Sequence, residues 1–234
     1  AGSTHLEGLA KQVKKLKADV GIAYDGDADR CLMVDENGEL VDGDQIMAIS
    51  TLALKKDGKL TNNTLVGTVM SNLGLVKFCE ANDVHFEATK VGDRYVLEKM
   101  LECNYIIGGE QSGHVIFKDF ANTGDGELTS IQILNILSEK GVAMSELASV
   151  MKRYPQVLIN VKVREEAKGQ YENDSKVTKA IKDVEKQLKG EGRVLIRPSG
   201  TEALIRVMIE GLDQEDIDKK AKQIADVIEK KFGV

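Results

Sequence analysis

The chain has 234 residues, a formal net charge of −6 at pH 7 and only 4% aromatic residues. An acidic chain with few rings lacks the basic, stacking surface that nucleic acids require, so we expect no nucleic-acid partner. No apolar run approaches the ~20 residues of a membrane-spanning helix, and we expect no membrane partner either. The length allows one large domain or two modest ones, each with its own core.

The first predicted element is an amphipathic helix over residues 4–17. Apolar side chains recur on one of its faces with the spacing of a surface helix, at Leu6, Leu9, Val13 and Leu16. The chain enters this helix almost at once and without an initiating Met, and we expect that it begins in the middle of a fold.

Three aspartates, Asp25, Asp27 and Asp29, follow directly after an apolar strand predicted over residues 20–24. Carboxylates this close repel one another and shift toward protonation unless a cation lies among them. Their spacing therefore predicts a site for a hard, oxygen-seeking ion such as Mg²⁺ or Ca²⁺, with a bare acidic turn as the alternative. Arg30 adjoins them, and a cation beside a guanidinium suits a phosphoryl group.

The same spacing resembles a calcium-binding EF-hand loop, in which Asp25 takes the first position and Glu36 the twelfth. The sixth position of such a loop needs Gly for a positive φ, and Arg30 stands there. The segments on either side read as short strands, and Asn-Gly at residues 37–38 signals a hairpin. We therefore expect a strand–loop–strand metal site rather than a calcium sensor.

The cysteines bear on the cellular compartment. Cys31, Cys79 and Cys103 lack the spacing of a zinc site and lie in apolar surroundings. We expect buried free thiols, as in a protein of the reducing cytoplasm.

The middle of the chain alternates between helix and strand, which is typical of βαβ units around a mostly parallel sheet. The predicted segments are helix 46–54, strand 64–69, helix 73–81, strand 84–88, helix 95–102, strand 105–107, and helices 128–137 and 145–151. Pro155 marks a boundary. The later segments are strand 157–163, helix 177–188, strands 193–196 and 204–209, and helix 217–232. The predicted fold class is α/β with mixed or parallel sheets, followed by a small α+β C-terminal domain.

A glycine-rich loop, Gly-Gly-Glu-Gln-Ser-Gly-His, covers residues 108–114 and follows a buried predicted strand. Its glycines allow a sharp turn that presents Glu110, Gln111 and Ser112 at the carboxyl end of a parallel sheet, where α/β proteins bind ligands. One carboxylate, one amide and one hydroxyl suit vicinal sugar hydroxyls. The alternative is a self-satisfied polar turn in which His114 is structural.

A second loop, Arg-Pro-Ser-Gly-Thr-Glu, lies between the last two predicted strands. The groups that can converge there on one phosphate are the backbone amides around Gly200, the hydroxyls of Ser199 and Thr201, and the guanidinium groups of Arg197 and Arg206. The alternative is an ordinary hairpin turn. A metal cage, a hydroxyl-binding loop and an anion site together predict a phosphosugar ligand.

At these three motifs, and in the same order, the chain resembles the α-D-phosphohexomutase superfamily. Lys-Val-Gly-Asp-Arg at residues 90–94 and Asn-Thr-Gly-Asp-Gly at residues 122–126 extend the resemblance. Within the superfamily it is similar to the bacterial members that act on glucosamine phosphates, largely through Gln111. Phosphomannomutases and phosphoglucomutases are the alternative.

The resemblance implies an enzyme with a phosphoserine. Such an enzyme converts glucosamine 6-phosphate to a 1,6-bisphosphate and then takes back the 6-phosphate, leaving glucosamine 1-phosphate. It also implies Mg²⁺ held by Asp25, Asp27 and Asp29 with a phosphoserine oxygen.

The resemblance further assigns the ligand-binding residues. Glu110 and Ser112 would hold sugar hydroxyls, while Arg30 and Lys90 would face the reacting end or the sugar. The non-reacting phosphate would be held by Arg197, Ser199, Gly200 and Thr201.

The sequence departs from the family in the nucleophile. Family members have four domains, the first of which supplies the serine in a Thr-Ala-Ser-His-Asn-Pro-like loop, and no such string occurs here. By resemblance, residues 1–44 end the second domain, 45–153 form the third and 154–234 the fourth. Some relatives carry His after Lys-Val-Gly where this chain has Asp93, so no general base is assigned.

We therefore expect a fragment that is inactive alone, the alternative being a stand-alone phosphosugar-binding protein. The partial second domain would leave a sheet edge unpaired, and we expect self-association through it, or else greater mobility there than in the other two domains.

Overall fold

The computed structural model describes residues 5–234, and the chain divides into two compact units, Ala1–Arg153 and Tyr154–Val234. The first helix, α1, spans Glu7–Leu16, so its predicted start at residue 4 lies outside the described residues. Val13 is buried, whereas Leu16 is 70% exposed. The predicted apolar face is wrong at its last turn, because the backbone turns away through a left-handed residue directly after Leu16.

A three-stranded antiparallel sheet follows, with strand order β1-β2-β3. Its strands are β1 Val20–Tyr24, β2 Cys31–Asp35 and β3 Leu40–Val41. The predicted hairpin is confirmed, and Gly38 closes it at a φ of 81°. Because strands flank the aspartate loop, the structure also confirms the choice of strand–loop–strand over an EF-hand.

The second sheet has four strands in the order β5-β4-β6-β7. They span β4 Thr64–Thr68, β5 His85–Thr89, β6 Ile107–Gly109 and β7 Val115–Phe117. β4 pairs in parallel with β5 and β6, whereas β7 pairs antiparallel with β6. The sheet is therefore mixed, as the predicted class allows. The prediction placed β6 two residues early and missed β7.

Five helices complete the first unit: α2 Gly43–Lys56, α3 Leu73–Ala81, α4 Asp93–Cys103, α5 Gly126–Lys140 and α6 Met144–Ala148. A capping box between Asp42 and Gln45 starts α2. Cys31 and Met33 of β2 pack in the same core cluster as Ile46 and Ile133. The first sheet therefore shares its core with the helices of the second. The three-part division at residues 44 and 153 stays a prediction.

The second unit is an antiparallel sheet with its own core. Its elements are β8 Gln156–Lys162, α7 Ser175–Leu188, β9 Arg193–Pro198, β10 Leu204–Glu210 and α8 Gln214–Phe232, with 3₁₀ turns at Glu165–Gly169 and Tyr171–Asn173. The strand order is β8-β10-β9, and both long helices contribute to one cluster that includes Val177, Val207 and Ile224. The predicted fold class is confirmed.

Among residues 5–234, no helix combines the length and apolar character needed to cross a bilayer. The three cysteines form no disulfide; Cys31 and Cys79 are buried as predicted, but Cys103 is only partly buried. Burial raises the pKa of both the Cys31 and the Cys79 thiols to about 12.

Candidate metal and sugar-phosphate sites

The loop between β1 and β2 brings the three predicted aspartates together. One carboxylate oxygen from each of Asp25, Asp27 and Asp29 lies within 4.8 Å of the others. Ala28 takes a left-handed conformation with a φ of 57°, and its N–H donates to the carbonyl of Asp25 at 3.3 Å. This turn reverses the chain between the outer aspartates and gathers three negative charges in one place.

Arg30 lies against the same carboxylates. Its Nε is 3.6 Å from Asp25 Oδ2 and 3.8 Å from Asp29 Oδ1, and its backbone N–H donates to Asp25 Oδ1 at 3.2 Å. Burial alone would raise the pKa of Asp25, but hydrogen bonds to its carboxylate, including one from the Arg30 N–H, and the Arg30 guanidinium hold it below its usual value. Asp25 is therefore ionised at neutral pH and able to bind a cation.

His114 joins this cluster, which the sequence did not reveal. Its Nδ1 lies 2.9 Å from Asp29 Oδ2, across a separation of 85 residues. The backbone N–H of Gly124 donates to His114 Nε2 at 3.0 Å. Since Nε2 is an acceptor, the neutral ring carries its proton on Nδ1 and donates it to Asp29.

The Oδ1 atom of Asp29, which His114 does not contact, is the best indicator of a ligand in the loop. Asp29 Oδ1 is buried and accepts no hydrogen bond from any residue that the structure describes, although Arg30 Nε lies 3.8 Å away. Three carboxylates, one of them presenting such an oxygen, form the donor set that a hard divalent cation takes. The residues of this loop therefore fit the metal that the sequence predicts.

Two glycine-rich loops brace the metal loop through the backbone. Gly113 accepts from the Cys31 N–H at 3.0 Å, and Gly126 donates to the Ala28 carbonyl at 2.8 Å. A Cβ on Gly113 would lie 2.4 Å from the Cys31 oxygen, and the φ of 94° at Gly113 also disfavours a side chain. Glycine is thus required where the loop at residues 108–114 meets the start of β2.

The predicted sugar-binding residues lie on neighbouring loops of the first unit. Glu110 Oε1 accepts from the Gly92 N–H at 2.9 Å, which ties residues 108–114 to the loop that carries Lys90. Lys90 is exposed, with its Nζ 5.8 Å from the centre of the Tyr95 ring. Ser112 is exposed as well.

Gln111 differs from its neighbours on the loop. Its amide nitrogen lies 3.4 Å from Asp42 Oδ2, at the start of α2. The amide that the sequence assigned to sugar hydroxyls is thereby directed at the protein. Glu110 and Ser112 remain as the predicted sugar ligands.

The predicted phosphate-binding residues lie in the second unit. Arg197 on β9 and Arg206 on β10 are direct cross-strand partners. Burial, and then the Arg206 guanidinium, lower the pKa of Arg197. Arg206 also makes a 3.5 Å ion pair with Glu202, but its Nε is buried without a hydrogen-bond partner among the described residues. Like charges opposite one another destabilise a sheet unless an anion lies against them.

The turn between these strands is only partly organised for an anion. Ser199 is buried, and its Oγ accepts from the Glu202 N–H at 3.3 Å. Gly200 and Thr201 are exposed, and a Cβ on Gly200 would meet nothing within 4 Å. The backbone therefore does not itself require Gly200, and its contact with phosphate stays a prediction.

Comparison with known proteins identifies the family. The family models match as phosphoglucomutase/phosphomannomutase alpha/beta/alpha domain II over residues 2–38, domain III over 42–154 and C-terminal domain over 158–227. The metal loop falls in the first match, the sugar loop in the second and the arginine pair in the third. The chain belongs to the phosphoglucomutase/phosphomannomutase family, which confirms the predicted superfamily.

The curated relatives that the chain matches carry a more specific name than the family models. Over 232 residues the chain is 58% identical to the phosphoglucosamine mutase of Caldicellulosiruptor bescii and 56% identical to that of Acetivibrio thermocellus. Each match covers 99% of this chain and 52% of the relative. The chain thus spans about half the length of the curated relatives it matches.

Solved structures share the fold. Aspergillus fumigatus N-acetylphosphoglucosamine mutase, crystallised with GlcNAc-6P and magnesium, superposes with a TM-score of 0.74 at 20% identity, covering 94% of this chain and 52% of that one. A phosphoglucomutase/phosphomannomutase family protein of Burkholderia thailandensis gives 0.73 at 18% identity, covering 97% and 51%. At these identities the likeness concerns the fold alone.

Proposed function

We propose that the chain is part of a phosphoglucosamine mutase, which interconverts glucosamine 6-phosphate and glucosamine 1-phosphate. The observation that carries the proposal is the aspartate cage with Arg30 beside it, braced by the loop that holds Glu110 and Ser112. A cation site, a guanidinium and a hydroxyl-binding loop are what phosphoryl transfer on a sugar requires. We propose glucosamine as the sugar because relatives that are 54–58% identical to the chain are phosphoglucosamine mutases.

Asp25, Asp27 and Asp29 are the proposed ligands of Mg²⁺. The Aspergillus relative, which shares the fold, was crystallised with magnesium. A bound Mg²⁺ would neutralise charge on the transferring phosphoryl group. The Arg30 guanidinium, 3.6 Å from Asp25 Oδ2, would add a second positive group for the same purpose.

The sugar contacts are proposed from the free donors and acceptors of the first unit. The Gly92 N–H donates to only one carboxylate oxygen of Glu110, so the other oxygen can accept from a hydroxyl of the sugar. The hydroxyl of the exposed Ser112 can act beside it. Lys90 is exposed and supplies a cation for the sugar phosphate.

The second unit would hold the phosphate that does not react. Arg197 and Arg206 would approach it with charge-assisted hydrogen bonds, including one from the buried Nε of Arg206. The Ser199 hydroxyl, which already accepts from Glu202, still has a proton to donate. Gly200 and Thr201 would also contact the anion.

The phosphorylated serine is proposed to lie in another part of a longer protein, since this sequence contains no Thr-Ala-Ser-His-Asn-Pro-like string. The chain alone should then show no mutase activity with glucosamine 6-phosphate and a bisphosphate primer. The purified chain is assayed with contaminating host enzyme excluded. Turnover comparable to that of intact family members would refute this assignment.

The longer protein would act in the cytoplasm and supply glucosamine 1-phosphate for amino-sugar synthesis. Free cysteines and the bacterial origin of the relatives support this placement. A phosphomannomutase or phosphoglucomutase remains the second candidate, because the family models carry those names.

A further inference from the structure

We propose that Asp42 is a positioning residue for the glycine-rich loop at residues 108–114, an inference that rests on the proposed sugar site. Asp42 lies directly before α2 and is only 4% exposed. Its Oδ1 accepts from the Gln45 N–H at 3.1 Å, while its Oδ2 lies 3.4 Å from the amide nitrogen of Gln111 and 3.7 Å from Arg153 Nη1. One carboxylate thus caps the helix with one oxygen and holds the loop with the other.

The backbone at the start of α2 lies directly against the same loop. The first N–H groups of a helix have no partner within the helix, and here the Gly43 N–H donates to the Gln111 carbonyl at 3.0 Å. A Cβ on Gly43 would lie 2.2 Å from the Glu110 oxygen and 2.7 Å from the Gly113 nitrogen. The loop therefore packs on the helix without a gap, and a shift of one displaces the other.

The proposed sugar ligands, Glu110 and Ser112, stand on either side of Gln111 in the sequence. Because the side chain and the carbonyl of Gln111 are both held at the start of α2, its neighbours are fixed relative to the helix. The helix is a rigid support, since Ile46 in its first turn is fully buried in the core. Asp42 is buried and both of its oxygens are engaged, so it acts on the sugar through Gln111.

Asp42→Asn tests the inference because it changes one oxygen and keeps the other. Asn caps a helix as well as Asp does, so the bond from the Gln45 N–H is retained. An amide group replaces Oδ2, however, and it meets the Gln111 amide nitrogen donor to donor. Titration calorimetry on the full chain compares glucosamine 6-phosphate with inorganic phosphate, which has no sugar. We expect about fivefold weaker binding of glucosamine 6-phosphate and unchanged binding of inorganic phosphate.

A reciprocal exchange separates positioning from general stability. Gln111→Glu places two carboxylates against each other and should also weaken glucosamine 6-phosphate binding. The double variant Asp42→Asn/Gln111→Glu restores a donor opposite an acceptor and should recover most of the affinity. Asp213→Ala removes the cap of α8, where Asp213 accepts from the Asp216 N–H at 2.8 Å, and should lower the thermal stability without changing either affinity. If thermal unfolding shows that Asp42→Asn does not fold, Gln111→Glu alone provides the test.

The outcomes distinguish the inference from the function on which it rests. Wild-type chain that binds glucosamine 6-phosphate no more tightly than inorganic phosphate refutes the proposed sugar site, and the role of Asp42 with it. Wild-type chain that binds the sugar phosphate more tightly, while Asp42→Asn or Gln111→Glu binds it equally well, refutes the role of Asp42 alone. A double variant that is as weak as the single variants, or an equal loss of inorganic phosphate binding, also refutes that role, since the effect would not pass through the pairing of these two side chains.

Discussion

Arg197 and Arg206 place two like charges opposite one another at the proposed anion site. They are cross-strand partners, and the Nε of Arg206 has no hydrogen-bond partner among residues 5–234. A phosphate would satisfy this donor and relieve the repulsion at once. The anion should therefore stabilise the second unit as well as bind to it.

Replacing Arg197 by Ala should weaken the binding of glucosamine 6-phosphate by about 1.5–3 kcal/mol, because its charge-assisted hydrogen bonds are lost. Titration calorimetry on the full chain measures the difference. Lys186→Ala removes the same charge from the exposed side of α7 and should leave the affinity unchanged. Equal affinities for Arg197→Ala and wild type would remove Arg197 from the site.

The cysteines should differ in reactivity, since the thiolate is the reactive form. Burial raises the pKa of Cys31 and Cys79 to about 12, whereas Cys103 is partly exposed. Iodoacetamide at about pH 8 should modify Cys103 first in the native chain, and the other two only after denaturation. Peptide mass spectrometry locates the label. Early labelling of Cys31 would show that the core around β2 opens readily.

Sequence patterns drew attention to single residues where the signal was local. The aspartates and the glycine-rich loop are short runs of unusual composition, and the structure brings each run together. His114 was left open as a structural histidine because its partner Asp29 is 85 residues away. Gly124 was likewise noted only as part of a resemblance.

At the scale of elements, the hairpin of β2 and β3 supports α6. Glu36, in the turn of this hairpin, accepts from both the backbone N–H of Ser145 at 3.1 Å and its hydroxyl. It thereby satisfies a donor in the first turn of α6 in place of a local N-cap side chain, which α6 lacks. Sequence patterns cannot reveal such a cap, because it comes from 109 residues away.

Glu36→Gln should lower the free energy of unfolding by about 1 kcal/mol at neutral pH, the size of a lost cap. Burial raises the pKa of Glu36, but the Ser145 hydroxyl and N–H outweigh it and lower the pKa overall. The stabilisation is therefore present above the unfolded-state pKa and is lost as pH falls through the lower folded-state pKa.

Urea unfolding at several pH values between about 7 and 3 tests this dependence. The difference between wild type and Glu36→Gln should shrink toward the acid end, and Glu39→Gln, in the same hairpin, serves as the control. A difference that is independent of pH would show that Glu36 does not act through its charge.

Helices and strands with a clear periodicity of apolar residues were predicted well, whereas short elements were not. α3 matches its predicted bounds, residues 73–81, because capping and apolar periodicity agree there. β7 was missed because its three residues are too few to show alternation. It is defined by pairing with β6, which is a tertiary contact.

At the scale of the whole molecule, the first sheet has an unpaired edge. β1 pairs only with β2 within the described part of the chain. An exposed strand edge favours pairing with another chain. The sequence predicted this edge. It did not predict that β2 shares a core with α2 and α5. The periodicity of apolar residues shows which face of a strand is buried, but it does not show which element covers that face.

We expect the chain to self-associate through β1. Light scattering should give a mass that rises with concentration, and hydrogen exchange should show greater protection of residues 20–24 in the associated form. A monomer at all concentrations, with those amides as protected as the strands of the second sheet, would show that the edge of β1 is closed without a partner.

The measurement that tests the central claim most directly is the activity of a chimera. The segment of the Caldicellulosiruptor bescii phosphoglucosamine mutase that matches this chain is replaced by this chain, and conversion of glucosamine 6-phosphate to glucosamine 1-phosphate is followed with Mg²⁺. We predict turnover within about tenfold of the relative's own, and its loss on Asp27→Asn. A folded chimera that is inactive, or that prefers mannose or glucose phosphates, would contradict the proposed function.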